Sequence, residues 1–177
     1  MEFTKKSYFV PLLLALLLTA CNQEQNIKRE LGTIYSNAFD SIMLKDEALN
    51  SEMQFITLDL TIAKKLSEND KKEIKRFLKD KYGVDVIEAT FKELKDKGLY
   101  NPKTMVLHGV LLKLEKAEFI SNNKAFEFEG SKYRAGNGAV GVKGKLLFKD
   151  GSLLKSKRCG LVSHLLSITE TFQPLKT

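Results

Sequence analysis

Cys21 is the residue whose surroundings most clearly predict a chemical modification. It ends the run Leu18-Thr19-Ala20-Cys21, in which a large aliphatic residue and two small residues precede a cysteine. This is the pattern of a bacterial lipobox, because the small residues let the chain lie extended in a peptidase groove and the thiol can form a thioether with a diacylglyceryl group. We therefore predict that residues 1–20 are a lipoprotein signal peptide and that Cys21 carries the lipid.

The segment before Cys21 has the other parts of such a signal peptide. Lys5 and Lys6 supply the positive charge that stays on the cytoplasmic side during export. The uncharged run Tyr8–Leu18 is shorter than the about 20 residues that a membrane-spanning helix needs. A short buried helix ending in Ala-Cys and an ordinary secretory signal are the alternatives. Since one acyl (palmitate) chain anchors a protein only weakly, the diacylglyceryl group is what would hold the mature protein at the outer face of the cell membrane.

A glycine pattern later in the chain, Gly136-Asn137-Gly138-Ala139-Val140-Gly141, matches the dinucleotide-binding signature G-x-G-x-x-G. That signature requires a strand before it and a helix that opens at it, so that a phosphate meets the helix N-terminus. Here the flanking segments are predicted strands, and the β-branched residues Val140 and Val142 favour the one that follows. We interpret the glycines as a hairpin turn with a bulge or a tight bend, and we predict no cofactor.

The remaining side chains that could support catalysis lack suitable partners. His108 and His164 are the only histidines, and neither has Cys, Asp or Glu at a metal-ligand spacing. Cys159 and His164 would form a nucleophilic pair only if the fold brought them together. Glu127 and Glu129 alternate onto one face of a predicted strand, where like charges are ordinarily solvated. We predict no catalytic residue, no metal site and no enzymatic activity, with an enzyme acting on the cell envelope as the alternative.

The polar cluster Lys132, Tyr133 and Arg134, just before the glycine pattern, is the predicted ligand-binding site. Two cations beside an aromatic ring could line the open end of a sheet and bind an anionic or aromatic group. The alternative is a strand end whose side chains alternate between core and solvent.

The elements that must position this cluster begin with a helix. Its apolar residues recur at helical spacing: Leu31, Ile34, Tyr35, Ala38, Phe39, Ile42 and Leu49. The β-prone stretch Phe55–Leu60 follows. A second helix has Ser67 as N-cap, Asp70 at the capping-box position and Gly83 as its end. With the short strand Val84–Ile87, this order predicts a strand–helix–strand crossover.

The second half of the chain is predicted to be mostly β-structure. Thr90 can cap one more short helix, which Gly98 ends. Four β-rich runs follow, separated by turn sequences that include Asn-Gly and Asp-Gly: Met105–Lys116, Lys124–Arg134, Ala139–Phe148 and Leu153–Leu161. They predict a four-stranded antiparallel meander. The fold class is therefore α+β, with N-terminal helices packed on a curved antiparallel sheet in one domain.

The predicted domain covers residues 31–160, after a polar tether at 21–30 and before a C-terminal tail at 161–177 without a clear pattern. The formal net charge is +7, and the basic residues are spread along the chain without an arginine-rich block. On the outside of a cell such a protein suits anionic lipid, an envelope polymer or a protein partner, and we predict that it binds no nucleic acid.

Three segments resemble a family of small lipoproteins from Gram-positive bacteria: Asp46–Met53, Ala89–Leu99 and Glu129–Gly136. Such proteins look similar to the cystatin-like cone of nuclear transport factor two-like domains, with helices cupped by a curved sheet. Some of them are labelled as peptide transporter substrate-binding proteins. The resemblance implies a lipid-anchored domain that binds a ligand or a partner protein, with an accessory or substrate-binding role in peptide transport as an alternative. It carries no catalytic residue over to this chain.

Overall fold

The computed structural model of the chain describes residues 31–122, 124–135, 138–149 and 152–153. The helices are α1 (Leu31–Met43), a 3-10 helix (Glu47–Asn50), α2 (Glu68–Tyr82) and α3 (Phe91–Asp96). The strands are β1 (Phe55–Asp59), β2 (Asp85–Glu88), β3 (Tyr100–Asn101), β4 (Val106–Ile120), β5 (Ala125–Ala135), β6 (Gly138–Lys149) and β7 (Ser152–Leu153). The strand order is β2-β1-β4-β5-β6-β7, and β3 pairs with β4 outside this order.

The α+β prediction is confirmed, but the sheet is mixed and is not antiparallel throughout. The meander β4-β5-β6-β7 is antiparallel, whereas β1 runs parallel to both of its neighbours, β2 and β4. Every residue of Phe55–Asp59 is buried. A strand that is covered on both faces belongs in the interior of a sheet, so β1 takes a central place between β2 and the meander.

The predicted crossover is confirmed as β1-α2-β2, and the predicted helix ends are confirmed with it. Asp70 N–H donates to Ser67 Oγ over 3.2 Å, and Ser67 N–H donates to Asp70 Oδ2 over 2.8 Å. At the other end Gly83 has φ 71°, and its N–H donates to Lys79 O over 2.9 Å. Glycine takes this left-handed conformation without the steric cost that a Cβ brings, which ends the helix cleanly.

The glycine pattern connects two strands, as predicted. β5 ends at Ala135, β6 begins at Gly138, and these two residues pair with each other. A register shift between Tyr133 and Ala135 marks the expected irregularity of the ladder. Because a strand follows the pattern, the helix that dinucleotide binding requires does not open there. Gly136 and Asn137 themselves lie outside the described residues.

Apolar clusters cover the two faces of the sheet. The larger one joins α1 and α2 to the central strands and includes Ile34, Phe39, Ile42, Ile74, Leu78, Ile56, Leu58, Val110, Leu112, Phe126 and Phe128. The smaller one lies on the opposite face beneath α3 and consists of Phe55, Ala89, Leu94, Leu107, Leu111 and Tyr133. The exposed part of that second face carries cross-strand ion pairs.

The two ends of α1 meet different parts of the fold. At its start, Gly32 N–H donates to Asp70 Oδ1 over 3.1 Å. A Cβ at Gly32 would overlap the Glu73 carboxylate, so a larger residue here would make the end of that flexible side chain move. At its end, Met43 O accepts from Lys132 Nζ on β5 over 2.9 Å. A helix of 13 residues separates these ends by about 20 Å.

Candidate functional site at the end of strand β5

The three predicted ligand-binding residues occupy consecutive positions near the end of β5, but they have different surroundings. Strand alternation places Lys132 on the face that α1 covers and Tyr133 on the face that α3 covers. Both side chains are buried, and Arg134, beside the register shift, is partly exposed. The cluster therefore contributes side chains to both faces of the sheet.

Lys132 is fully buried, with 0% of its side chain surface exposed. Its Nζ donates to Met43 O, Asp46 O and Asn50 Oδ1, each over 2.9 Å. An ammonium group has three hydrogens, so all of them are used within the protein and none remains for an anionic ligand in this conformation. Lys132 satisfies carbonyl groups at the C-terminal end of α1 and fastens the 3-10 helix to β5.

The surroundings of Lys132 have two opposing effects on its pKa. Burial lowers the pKa of Lys132 from 10.5 to about 8, and the carboxylates of Asp46 and Glu47 offset part of this effect. The side chain is therefore still mostly protonated at neutral pH, although its charged form is less favoured than in water.

Tyr133 connects β5 to the segment that carries α3 and β3. Its hydroxyl donates to Met105 O over 3.2 Å, and its ring meets that of Phe91 edge-on, with centroids 5.4 Å apart. Burial raises the pKa of the Tyr133 hydroxyl, so this group stays protonated and can donate. Lys95 Nζ lies 4.7 Å from the centre of the Phe91 ring, which adds a cation–π contact at the edge of this aromatic group.

Arg134 is the member of the cluster with capacity for a ligand. Its Nη1 donates to Leu49 O over 3.2 Å. A guanidinium has five N–H donors in a planar fork, and the side chain is partly exposed. Arg134 can therefore meet an anionic or planar group while it keeps its bond to the 3-10 helix.

The segments that carry the family resemblance converge here. Lys132 and Arg134 hold the 3-10 helix from one side, and Tyr133 packs on α3 from the other. Three non-glycine residues near these contacts have left-handed backbones: Asp46 with φ 52°, Glu52 with φ 52° and Met105 with φ 55°. Residues with a Cβ rarely adopt this conformation, and such strain is concentrated at functional sites. These contacts and this strain make the end of β5 the candidate functional site.

Asn50 belongs to the same network, although no feature of the sequence predicted it as a site residue. Its Oδ1 accepts from Lys132, and its Nδ2 donates to Met43 O over 3.1 Å. The burial of Lys132 did have a signal in the sequence. Phe126, Phe128 and Lys132 are separated by even numbers of residues along one strand, so a strand with a buried Phe face must also direct Lys132 inward.

The other residues considered for chemistry are placed without a catalytic arrangement in the described part of the chain. His108 is exposed on β4, and no carboxylate within the described ranges is at ion-pair distance from it. Glu127 pairs with Lys145 over 2.6 Å and Glu129 with Lys143 over 3.1 Å, as expected for a solvated strand face. Among the described residues no group of three or more His, Cys, Asp or Glu is placed to hold a metal ion. Three further candidates lie outside the described residues: Cys21, Cys159 and His164.

Comparison with known proteins does not identify the chain. No protein-family model matches it, and neither a curated protein nor a solved structure matches it significantly. Within the part of the chain that the structure describes, no helix is long and apolar enough to cross a membrane.

Proposed function

We propose that this protein is a surface lipoprotein, anchored to the outer face of the cell membrane through Cys21, whose α+β domain binds a ligand or a partner protein without catalysis. The observation that supports this proposal is the position of α1 between the predicted tether and the candidate site. The described chain begins at Leu31, ten residues after the lipobox cysteine, and α1 leads from there to the network around Lys132. The predicted tether would therefore join α1 at the end opposite to the candidate site.

This geometry would present the candidate site to the outside. The helix separates its ends by about 20 Å. A tether of residues 21–30 reaches at most about 35 Å when it is fully extended. A domain on such a tether stays close to the lipid, and the end of β5 lies at the end of α1 that is not tethered, where a ligand or partner can approach.

Binding is favoured by the construction of the site. Lys132 and Tyr133 are used to fix the chain segments around Arg134, so the guanidinium is presented by a rigid frame. Preorganised groups lose less entropy on association than mobile ones. We further propose that the sheet and helices form a cystatin-like cone and that the end of β5 is its open end.

Replacing Cys21 with alanine is expected to release the protein from the membrane fraction and to abolish incorporation of labelled fatty acid. Cys159→Ala is the matched control, because it removes the only other cysteine and leaves the lipobox intact. Fractionation of cells and lipid labelling of the full chain measure both effects. A Cys21→Ala protein that stays membrane-bound and labelled like its parent would show that the anchor is not at Cys21.

Replacing Arg134 with alanine is expected to weaken binding to a partner by about tenfold or more, the effect typical of a central arginine in an interface. Partners captured from solubilised membranes by the full chain would be compared with those captured by Arg134→Ala. Arg76→Ala is the control, since Arg76 is an exposed arginine on α2. A partner lost with both variants, or with neither, would place the binding surface elsewhere. A permease among the partners would favour the transport role.

A further inference from the structure

The end of the domain that receives the tether has an exposed apolar residue among exposed lysines. The loop between β1 and α2 carries Ile62, which is 40% exposed, followed by Lys64 and Lys65, which are both exposed. Lys72, one turn into α2, is also exposed. We call Ile62, Lys64, Lys65 and Lys72 the tether-end patch.

Two contacts place this patch beside the start of α1. Thr33 Oγ1 donates over 2.7 Å to Oε1 of Glu73, the residue directly after Lys72 on α2. Gly32 N–H binds the Asp70 carboxylate in the first turn of α2. The tether and the loop therefore enter the fold at the same end.

The lysines of the patch differ from their neighbours on α2. Lys71 pairs with Glu68 and Glu88 over 3.0 and 3.2 Å, and Lys75 pairs with Glu88 over 3.4 Å. Lys64, Lys65 and Lys72 have no ion pair with any described residue. Their charges are therefore directed to the surroundings.

The acidic groups near the patch are satisfied within the protein. Asp59 is buried and accepts from Thr61 N–H over 3.0 Å. Asp70 is buried and accepts from Ser67 and Gly32. Glu73 accepts from Thr33 Oγ1 over 2.7 Å. The other anions nearby, Glu68 and Glu88, pair with Lys71 and Lys75. The exposed charges of this end that have no ion pair with a described residue are therefore the three lysines of the patch.

We propose that the tether-end patch docks on an anionic lipid bilayer, with Ile62 entering the headgroup region and the three lysines lying against lipid phosphates. The proposal rests on the lipid anchor of the proposed function, which keeps this end within reach of the bilayer. Each lysine near an anionic membrane contributes about a fivefold gain in affinity. The exposed Ile62 favours a bilayer over an envelope polymer, because only the bilayer offers an apolar region for it.

Docking would fix the orientation of the whole domain. A tether alone leaves the domain free to rotate, whereas a patch in contact with the bilayer aligns α1 away from the membrane plane. The end of β5 is then the part of the protein furthest from the lipid along α1, which is the orientation that binding of an outside partner requires.

The test uses the full lipidated chain with Cys159→Ser and Ile62→Cys, labelled at position 62 with an environment-sensitive fluorophore. The protein is reconstituted into vesicles of equal parts phosphatidylglycerol and phosphatidylcholine, or of phosphatidylcholine alone, each with a lipid-attached quencher. We expect strong quenching in the anionic vesicles and weak quenching in the zwitterionic ones. Replacing Lys64, Lys65 and Lys72 together with glutamine should reduce the docking equilibrium constant by about 100-fold.

A second triple variant controls for net charge. The control lysines are exposed and lie around α3 and β3, near the start of β4: Lys92, Lys97 and Lys103. The patch is in a different place, because it follows the end of β1, which pairs with Lys113 further along β4. Their replacement with glutamine should leave quenching unchanged. Mass spectrometry of the same samples reports the lipid on Cys21. If the protein is lipidated but its quenching is the same in the first triple variant, or the same in both kinds of vesicle, the docking proposal is wrong and the anchor stands. If the Cys21 thiol is free, both the anchor and the docking are wrong.

Discussion

Replacing Lys132 with methionine is expected to lower the free energy of unfolding by about 2 to 3 kcal/mol. Methionine keeps the apolar stem at a position with 0% exposure but removes the donor of three hydrogen bonds. Met43 O retains its bond from Asn50 Nδ2 and Asp46 O retains its bond from Leu49 N–H, whereas Asn50 Oδ1 loses the donor that Lys132 supplied. The loss of three charge-assisted bonds, one of them to the partly buried Asn50 amide oxygen, costs more than the desolvation that the methionine relieves.

Urea unfolding of the full chain measures this loss, and Lys113→Met is the matched control. Lys113 is partly buried on β4, and it is paired in register with Ser131, directly before Lys132. No described hydrogen bond or ion pair uses its ammonium, so its replacement should change stability by less than about 0.5 kcal/mol. Equal losses in the two variants would mean that the stem of Lys132 stabilises the fold and that its bonds do not.

The difference in the free energy of unfolding between the parent protein and Lys132→Met should depend on pH, and the pKa of Lys132 fixes the sign of this dependence. Burial lowers this pKa to about 8 from 10.5, so between these values the unfolded chain binds more protons than the folded one. The stability of the parent relative to Lys132→Met must therefore rise with pH, by about 1.5 kcal/mol between about pH 8 and 9.5. A difference that stays constant over this window would show that the three oxygen acceptors hold the pKa at its ordinary value.

The parts of the fold that follow from neighbouring residues were predictable from the sequence. The caps at Ser67, Gly83 and Thr90 depend on side chains within one helical turn, and the structure has all three. The central place of β1 was not predictable in this way. It depends on the pairing of β1 with β4, in which Ile56 lies opposite Val110. Helix and turn signals are local, whereas strand order is decided by which distant strands bury each other's faces.

The candidate site was also predictable from the sequence only in part. Alternation along β5 indicates that Lys132 points inward with Phe126 and Phe128, so its burial could be read from the sequence. Its acceptors could not, because Met43 lies 89 residues before it and contributes a backbone carbonyl, which any residue has. Only the fold shows that strand β5 contacts the 3-10 helix on one face of the sheet and α3 on the other.

Replacing Asp70 with alanine is expected to lower the free energy of unfolding by about 3 kcal/mol, because one buried carboxylate serves two helices. Its Oδ2 accepts from the N–H and Oγ of Ser67 over 2.8 and 2.6 Å, which completes the capping box of α2. Its Oδ1 accepts from Gly32 N–H over 3.1 Å at the start of α1. With alanine, the buried N–H of Gly32 loses its acceptor, and the more exposed N–H of Ser67 loses its capping-box bond.

Glu93→Ala separates the effect of the capping box from the effect of joining two helices. Glu93 occupies the same capping position on α3, where its Oε2 accepts from Thr90 N–H over 2.7 Å, but it has no bond to a second helix. Its replacement should therefore cost clearly less than Asp70→Ala in the same urea titration. Hydrogen exchange should also show that Asp70→Ala increases exchange at the first amides of α1 and that Glu93→Ala does not. If the two variants lose the same stability and α1 stays protected in both, the bond to Gly32 is not what fixes the start of α1. In that case the tether would enter the domain through a helix end that packing alone holds in place.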